Sequence, residues 1–136
     1  MRKVHIDINP QHHLGTDRYP YHASLTNADR ARALKARVLE DLGSRRALRP
    51  EELETQLLKM EQRLNAIRVD SKHHLGLCHT YSKDMKFLKS LSMKAKKDFK
   101  NVFTRQALQK WLRSKRYEAP NIASIKDICQ LLTTHA

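Results

Sequence analysis

The sequence predicts an all-α fold, a small bundle of four to five helices with an extended N-terminal arm. Three observations carry this. Apolar residues recur every three or four positions through five stretches of the 136-residue chain, the period of a helix with one buried face. The three Gly and four Pro fall at the boundaries of those stretches, and so few turn residues could not join the many short strands of a sandwich or barrel. At 40% apolar and 30% charged, the composition supports one packed core, and the length suits one domain.

Residues 1–24 contain Pro10, Gly15 and Pro20 and show no periodicity, so they read as an extended arm. A basic helical domain is expected over 25–118. Thr26 or Asn27 caps its first helix, with Asp29 in the first turn. Leu25, Ala28, Ala31, Leu34, Val38 and Leu42 form the apolar stripe, and Gly43 supplies the stop. Pro50 opens the second helix without losing a hydrogen bond, and Glu51 and Glu52 suit its positive end. Leu53, Leu57, Met60, Leu64 and Ile67 make a narrow seam for packing against other helices.

The pattern breaks at Asp70-Ser71-Lys72-His73-His74, with Gly76 following. A long third helix then carries Leu77, Tyr81, Met85, Leu88, Ala95, Phe99 and Val102. About 26 residues at 1.5 Å each make it roughly 39 Å long. Thr104 caps a fourth helix with Ala107, Leu108, Trp111 and Leu112. Pro120 and Asn121 break it, and residues 119–136 form a short C-terminal helix around Ile122, Ile125, Ile128, Leu131 and Leu132. The tetrapeptide HHLG occurs at 12–15 and 73–76, once in the arm and once at a helix junction, and marks no repeat.

Charge points to a polyanion. The formal net charge is +13, and such a field concentrates nucleic acid near the surface. Residues 30–50 hold seven basic and two acidic side chains, and 71–118 hold thirteen basic and three acidic; the ends are neutral. No stretch is long and apolar enough to span a membrane. MRKVHIDINPQ has no apolar run and does not read as a signal peptide. Cys78 and Cys129 are too few and too far apart for a disulfide scaffold or a four-ligand zinc site, so a reducing compartment is expected.

The candidate site follows from these blocks. Asp70, Ser71, Lys72, His73, His74 and Gly76 gather donors for phosphate and ribose at a helix start. Lys83, Lys86, Lys89, Lys94, Lys97 and Lys100 form a basic face with few acids beside them; lysine grips phosphate as a point charge and reads bases poorly. Arg105, Arg113 and Arg116 extend that face, and Arg45, Arg46 and Arg49 offer a second grip. Trp111 is in phase with Leu108 and Leu112 and should pack in the core, whereas Tyr117 should be more open. His74, Cys78 and His79 could approach a metal, yet nothing completes four ligands, so no metal or cofactor is expected. No phosphate loop, nucleophile elbow or HExxH motif is present, and no catalysis is expected.

From Pro50 onward the chain resembles the S-fifteen family of small-subunit ribosomal proteins. Pro50-Glu51 opens the helix that the family opens with Ser-Pro-Glu, and Leu57-Leu58 falls in its leucine seam. Ser71-Lys72-His73-His74 before Gly76-Leu77 is similar to the family's Lys-Asp-His-His-Ser-Arg-Arg-Gly-Leu-Leu motif, without its Ser-Arg-Arg. Phe87-Leu88-Lys89-Ser90-Leu91 and Phe99 keep the spacing of its long helix. The resemblance covers about 50–103 and implies a helical protein that binds a junction in small-subunit ribosomal RNA. The added ends would then touch neighbouring ribosomal proteins, and such drift suits a mitochondrial ribosome better than a bacterial one. Two other readings remain open: a DNA-binding or accessory protein of a mobile element, using 104–134 as a helix-turn-helix, and a non-enzymatic assembly or adaptor subunit.

Overall fold

A computed structural model describes residues 13–43, 46–118 and 122–134. Five helices lie within them: α1 (Asn27–Leu42), α2 (Pro50–Asp70), α3 (Leu75–Asp98), α4 (Arg105–Ser114) and α5 (Ile122–Thr134). The all-α bundle expected from the periodicity is the fold observed. Among the described residues the nearest thing to a strand is one isolated bridge, in which Leu48 and Phe103 exchange N–H···O bonds of 2.8 and 2.9 Å. It ties the α1–α2 connection to the α3–α4 connection, so the N-terminal end of α2 lies beside the C-terminal end of α3.

The helix ends follow the local chemistry. Thr26 Oγ1 accepts from the Asp29 N–H, and Thr104 Oγ1 accepts from the Ala107 N–H at 3.0 Å. Gly43 stops α1 at φ 72°, a backbone conformation that favours glycine. α1 has no basic residue in its last turn. Arg105 of α4 supplies one, donating to the carbonyls of Leu39 and Gly43, where a cation suits the negative helix end. Pro50 opens α2, and Glu52 accepts from the Arg49 N–H at 3.2 Å.

α2 and α3 form the central hairpin, with α1 and α4 on one side and α5 on α3. The α2 seam is wholly buried: Leu53, Leu57, Met60, Leu64 and Ile67 meet Leu34 and Val38 of α1 and Leu88 and Leu91 of α3 in one core. Each such side chain contributes about 1.5–3 kcal/mol of burial. α3 ends at Asp98, sooner than the apolar rhythm through Phe99 and Val102 suggested. Phe99 turns extended, packs its ring against Phe103 at 4.2 Å and meets Trp111 edge-on at 5.2 Å, while Val102 is exposed. The rhythm persists past the helix because the linker itself returns to the core.

The described part of the arm also belongs to that core. Leu14 and Tyr21 are buried, and a turn closes through Thr16 N–H to the Tyr19 carbonyl at 2.9 Å. Gly15 permits it, since a Cβ there would lie 2.4 Å from the Tyr21 backbone nitrogen. Residues 1–12 lie outside the described residues.

A buried polar knot locks four segments together. Asp84 of α3 accepts from Arg30 Nε of α1 at 2.8 Å, from the Tyr117 hydroxyl at 2.6 Å and from the Tyr21 hydroxyl. Arg30 also donates to the Leu25 carbonyl and to Asn27 Oδ1, both at 2.6 Å. Burial and then the Asp84 charge push the Tyr21 and Tyr117 phenols well above the usual range. Burial disfavours the Arg30 charge, but its bond to Asp84 more than reverses that, leaving its pKa raised. Tyr117, expected to be open, is therefore half-buried and structural.

The cysteine expectation is overturned. Cys78 of α3 and Cys129 of α5 form a disulfide with Cα atoms 5.9 Å apart. Separation in sequence said nothing about separation in space, because the chain returns across α3. With Ile125 and Leu132 the pair makes a small second core under α5. Among the described residues, no helix is long and apolar enough to cross a membrane.

Candidate nucleic-acid interface

α3 positions the lysines. Its side packed in the main core holds Tyr81, Asp84, Leu88, Leu91 and Ala95, while Cys78 and Ser82 are buried under α5. At about 100° per residue, Lys83, Lys86, Lys89, Lys94 and Lys97 fall within an arc of roughly 140° on the other side. From Lys83 to Lys97 the stripe runs about 21 Å. Lys89 and Lys97 are exposed, while Lys83, Lys86 and Lys94 are half-buried. Lys83 donates to Asn27 Oδ1 at 3.4 Å and Lys86 to Ser124 Oγ at 3.1 Å, both uncharged partners. Lys94 pairs with Glu118 at 3.1 Å. Lys97 and Lys100 form no ion pair among the described residues. The stripe thus keeps most of its charge.

The His-His junction sits at the N-terminal end of α3. His74 is the N-cap, its Nδ1 accepting from the Leu77 N–H at 3.2 Å. Gly76 makes room for that ring, since a Cβ would come 3.3 Å from its Cε1. Asp70 ends α2 and is exposed, as is His73. Ser71 caps α2, and the Lys72 carbonyl accepts from Thr133 Oγ1 at 3.0 Å, which docks the end of α5 on the junction. The backbone of the junction is therefore used in the fold, while the side chains of Asp70 and His73 are exposed and that of Lys72 is half-buried. The suggested His74, Cys78 and His79 metal trio loses a donor, because the Cys78 sulfur is bonded to Cys129; no cluster of three potential ligands occurs among the described residues.

The arginines divide. Arg105 is spent on the end of α1. Arg49 leans on Glu52 at 3.7 Å. Arg46 is exposed beyond the N-terminal end of α2, at the end of the bundle that carries Lys100, and Arg45 lies outside the described residues. Arg113 and Arg116 are exposed. Arg113 borders a groove of about 490 Å³ with Tyr19, Arg32 and Lys35, between the arm, α1 and α4. Burial pushes the Lys35 pKa down. The charge count alone did not separate Arg32 and Lys35 from Arg30, their buried neighbour.

The lysine stripe forms one wall of a larger groove, about 660 Å³, between α2, α3 and α5. Glu61 and Arg68 of α2 face Lys86, Lys89, Lys94 and Lys97 across it, with Met85, Met93 and Ile128 as its apolar lining. Arg68 donates to Asn65 Oδ1 at 2.8 Å and to Ser82 Oγ at 3.1 Å, and its buried Nε–H meets no acceptor. Burial without a carboxylate partner lowers its pKa. Glu61 is raised by burial, opposed by Lys89. Sequence reading missed Arg68 because it lies in the acidic α2 segment; its i+7 relation to Glu61 was the available signal.

No protein-family model, curated protein or solved structure matches the chain. The site stands on its own geometry.

Proposed function

We propose that this protein binds structured RNA, as a non-enzymatic component of a small ribosomal subunit. The α3 stripe holds the phosphate backbone, and the Asp70–Gly76 junction contacts ribose and base edges beside it. The supporting observation is the lysine stripe, in which five lysines point away from the α2-packed side of α3, α5 reaches the stripe beside Lys86, and one lysine has an ion-paired carboxylate. A merely solvated helix face would mix charge signs. Arg46 and Lys100 provide a second basic point at the far end of the hairpin. The S-fifteen resemblance selects ribosomal RNA, and its drift and added ends select a mitochondrial ribosome. α4 packs on α1 and α5 on α3, an arrangement that disfavours the helix-turn-helix of the DNA alternative.

The disulfide favours a second reading. Disulfides persist in oxidising compartments, where an adaptor subunit could set its lysines against acidic protein. Sedimentation of the native complex separates the two. Co-sedimentation with a ribosomal small subunit at moderate salt, lost on ribonuclease treatment, supports RNA binding. A native complex that survives ribonuclease refutes it and favours the adaptor.

A further inference from the structure

We infer that the groove between α2, α3 and α5 takes an unpaired RNA segment, with a splayed base on its apolar lining and phosphates on its lysine wall. This rests on the RNA reading above and adds that the structured RNA presents an unpaired segment, such as a junction strand, to the groove. A duplex could lie along the stripe without entering the groove. A single strand can send a base inward.

Three features select that occupant. The lining carries five cations to one carboxylate, Glu61, which suits a run of phosphates better than one acyl carboxylate. Between them lies apolar surface. Met93 is 68% exposed in the middle of the stripe, with no described neighbour covering it, and Met85 and Ile128 line the same groove. Thioethers pack adaptably against aromatic faces, and base stacking of this kind tolerates any sequence. The third feature is Arg68. Its charge is fixed against Ser82 and Asn65 by neutral bonds and forms no ion pair among the described residues, so an anion in the groove supplies one. At about 660 Å³ the groove has room for a nucleotide.

The test is fluorescence anisotropy on the full chain with a labelled twelve-nucleotide RNA, unpaired, against a hairpin of equal charge. The unpaired strand should bind at least about tenfold tighter than the hairpin. Met93→Glu changes an exposed position and should weaken the unpaired strand about tenfold or more, with the hairpin affected less. Arg68→Met should do the same, with circular dichroism checking that the fold persists. Lys59→Ala removes one charge from an exposed position of α2 outside the groove and should change both RNAs little. Equal binding of the two RNAs, with Met93→Glu silent, overturns the groove while RNA binding stands. Failure of both RNAs overturns the RNA reading itself. Tighter binding of a labelled polyglutamate peptide than of either RNA overturns both in favour of an acidic protein partner.

Discussion

Replacing Asp84 with alanine tests how the bundle is held together. Asp84 is fully buried and accepts hydrogen bonds from Arg30, Tyr21 and Tyr117. Its removal leaves the Arg30 guanidinium, 3% exposed, as an unpaired buried charge, and two hydroxyls without their acceptor. Breaking such a pair from one side costs about 3–5 kcal/mol, about a fifth or more of the roughly 5–15 kcal/mol available to a small domain. For 136 residues, an unfolding entropy of about 2.1 cal/mol/K per residue converts that into a fall in Tm of roughly 10–17 °C. Urea denaturation followed by far-UV circular dichroism gives the value. The double variant Arg30→Met/Asp84→Leu removes both charges and should be more stable than Asp84→Ala alone, with a coupling of about 2 kcal/mol or more. A loss under about 1 kcal/mol for Asp84→Ala, or strict additivity of the two sites, would refute the knot as the lock on the fold.

Three further outcomes follow from other parts of the molecule. Reduction of Cys78–Cys129 opens a link across 51 residues, worth about 4 kcal/mol in chain entropy; because α5 rests on a small cluster, its amides should lose hydrogen-exchange protection before those of α2, and equal protection after reduction would contradict this. Glu61 has a pKa raised by burial, so the folded state holds its proton more tightly than the unfolded chain; its effect on stability is most favourable at low pH and worsens as pH rises through the window between the ordinary and raised values. Glu61→Gln should therefore raise Tm at pH 7 and flatten the Tm profile across that window, whereas a lowered Tm at pH 7 would contradict the sign. Gly15→Ala should destabilise far more than Gly76→Ala in thermal melts, because a Cβ at Gly15 meets backbone at 2.4 Å and one at Gly76 meets an imidazole at 3.3 Å; equal losses would contradict the close packing of the arm.

The helices were legible because their determinants are local. Thr26, Gly43, Pro50 and Thr104 mark ends within a few residues of the groups they serve, and the Leu53–Ile67 seam repeats at helical spacing. What escaped was long-range. Arg30 lies in a basic run and looks solvated, yet its partner Asp84 is 54 positions away. Tyr21 and Leu14 looked like part of a free arm, since neither has a periodic neighbour. Arg105 looked only like part of a basic run, and its bonds to the Leu39 and Gly43 carbonyls at the end of α1, 62 or more positions away, were not visible from it. The lysine stripe was legible from period alone, but its groove was not, because Arg68 and Ile128 come from α2 and α5. Pairing of Cys78 with Cys129 likewise depended on how α5 returns to α3.

The central claim is that the α3 stripe binds RNA phosphate. Its most direct measurement is the salt dependence of binding to a structured RNA, for the native chain and for Lys86→Ala/Lys89→Ala/Lys97→Ala. About five phosphate contacts predict a slope of log K against log salt near −4, and removal of three lysines should make it shallower by roughly 2 to 3. A flat slope, or a triple variant with the native slope, would contradict the account.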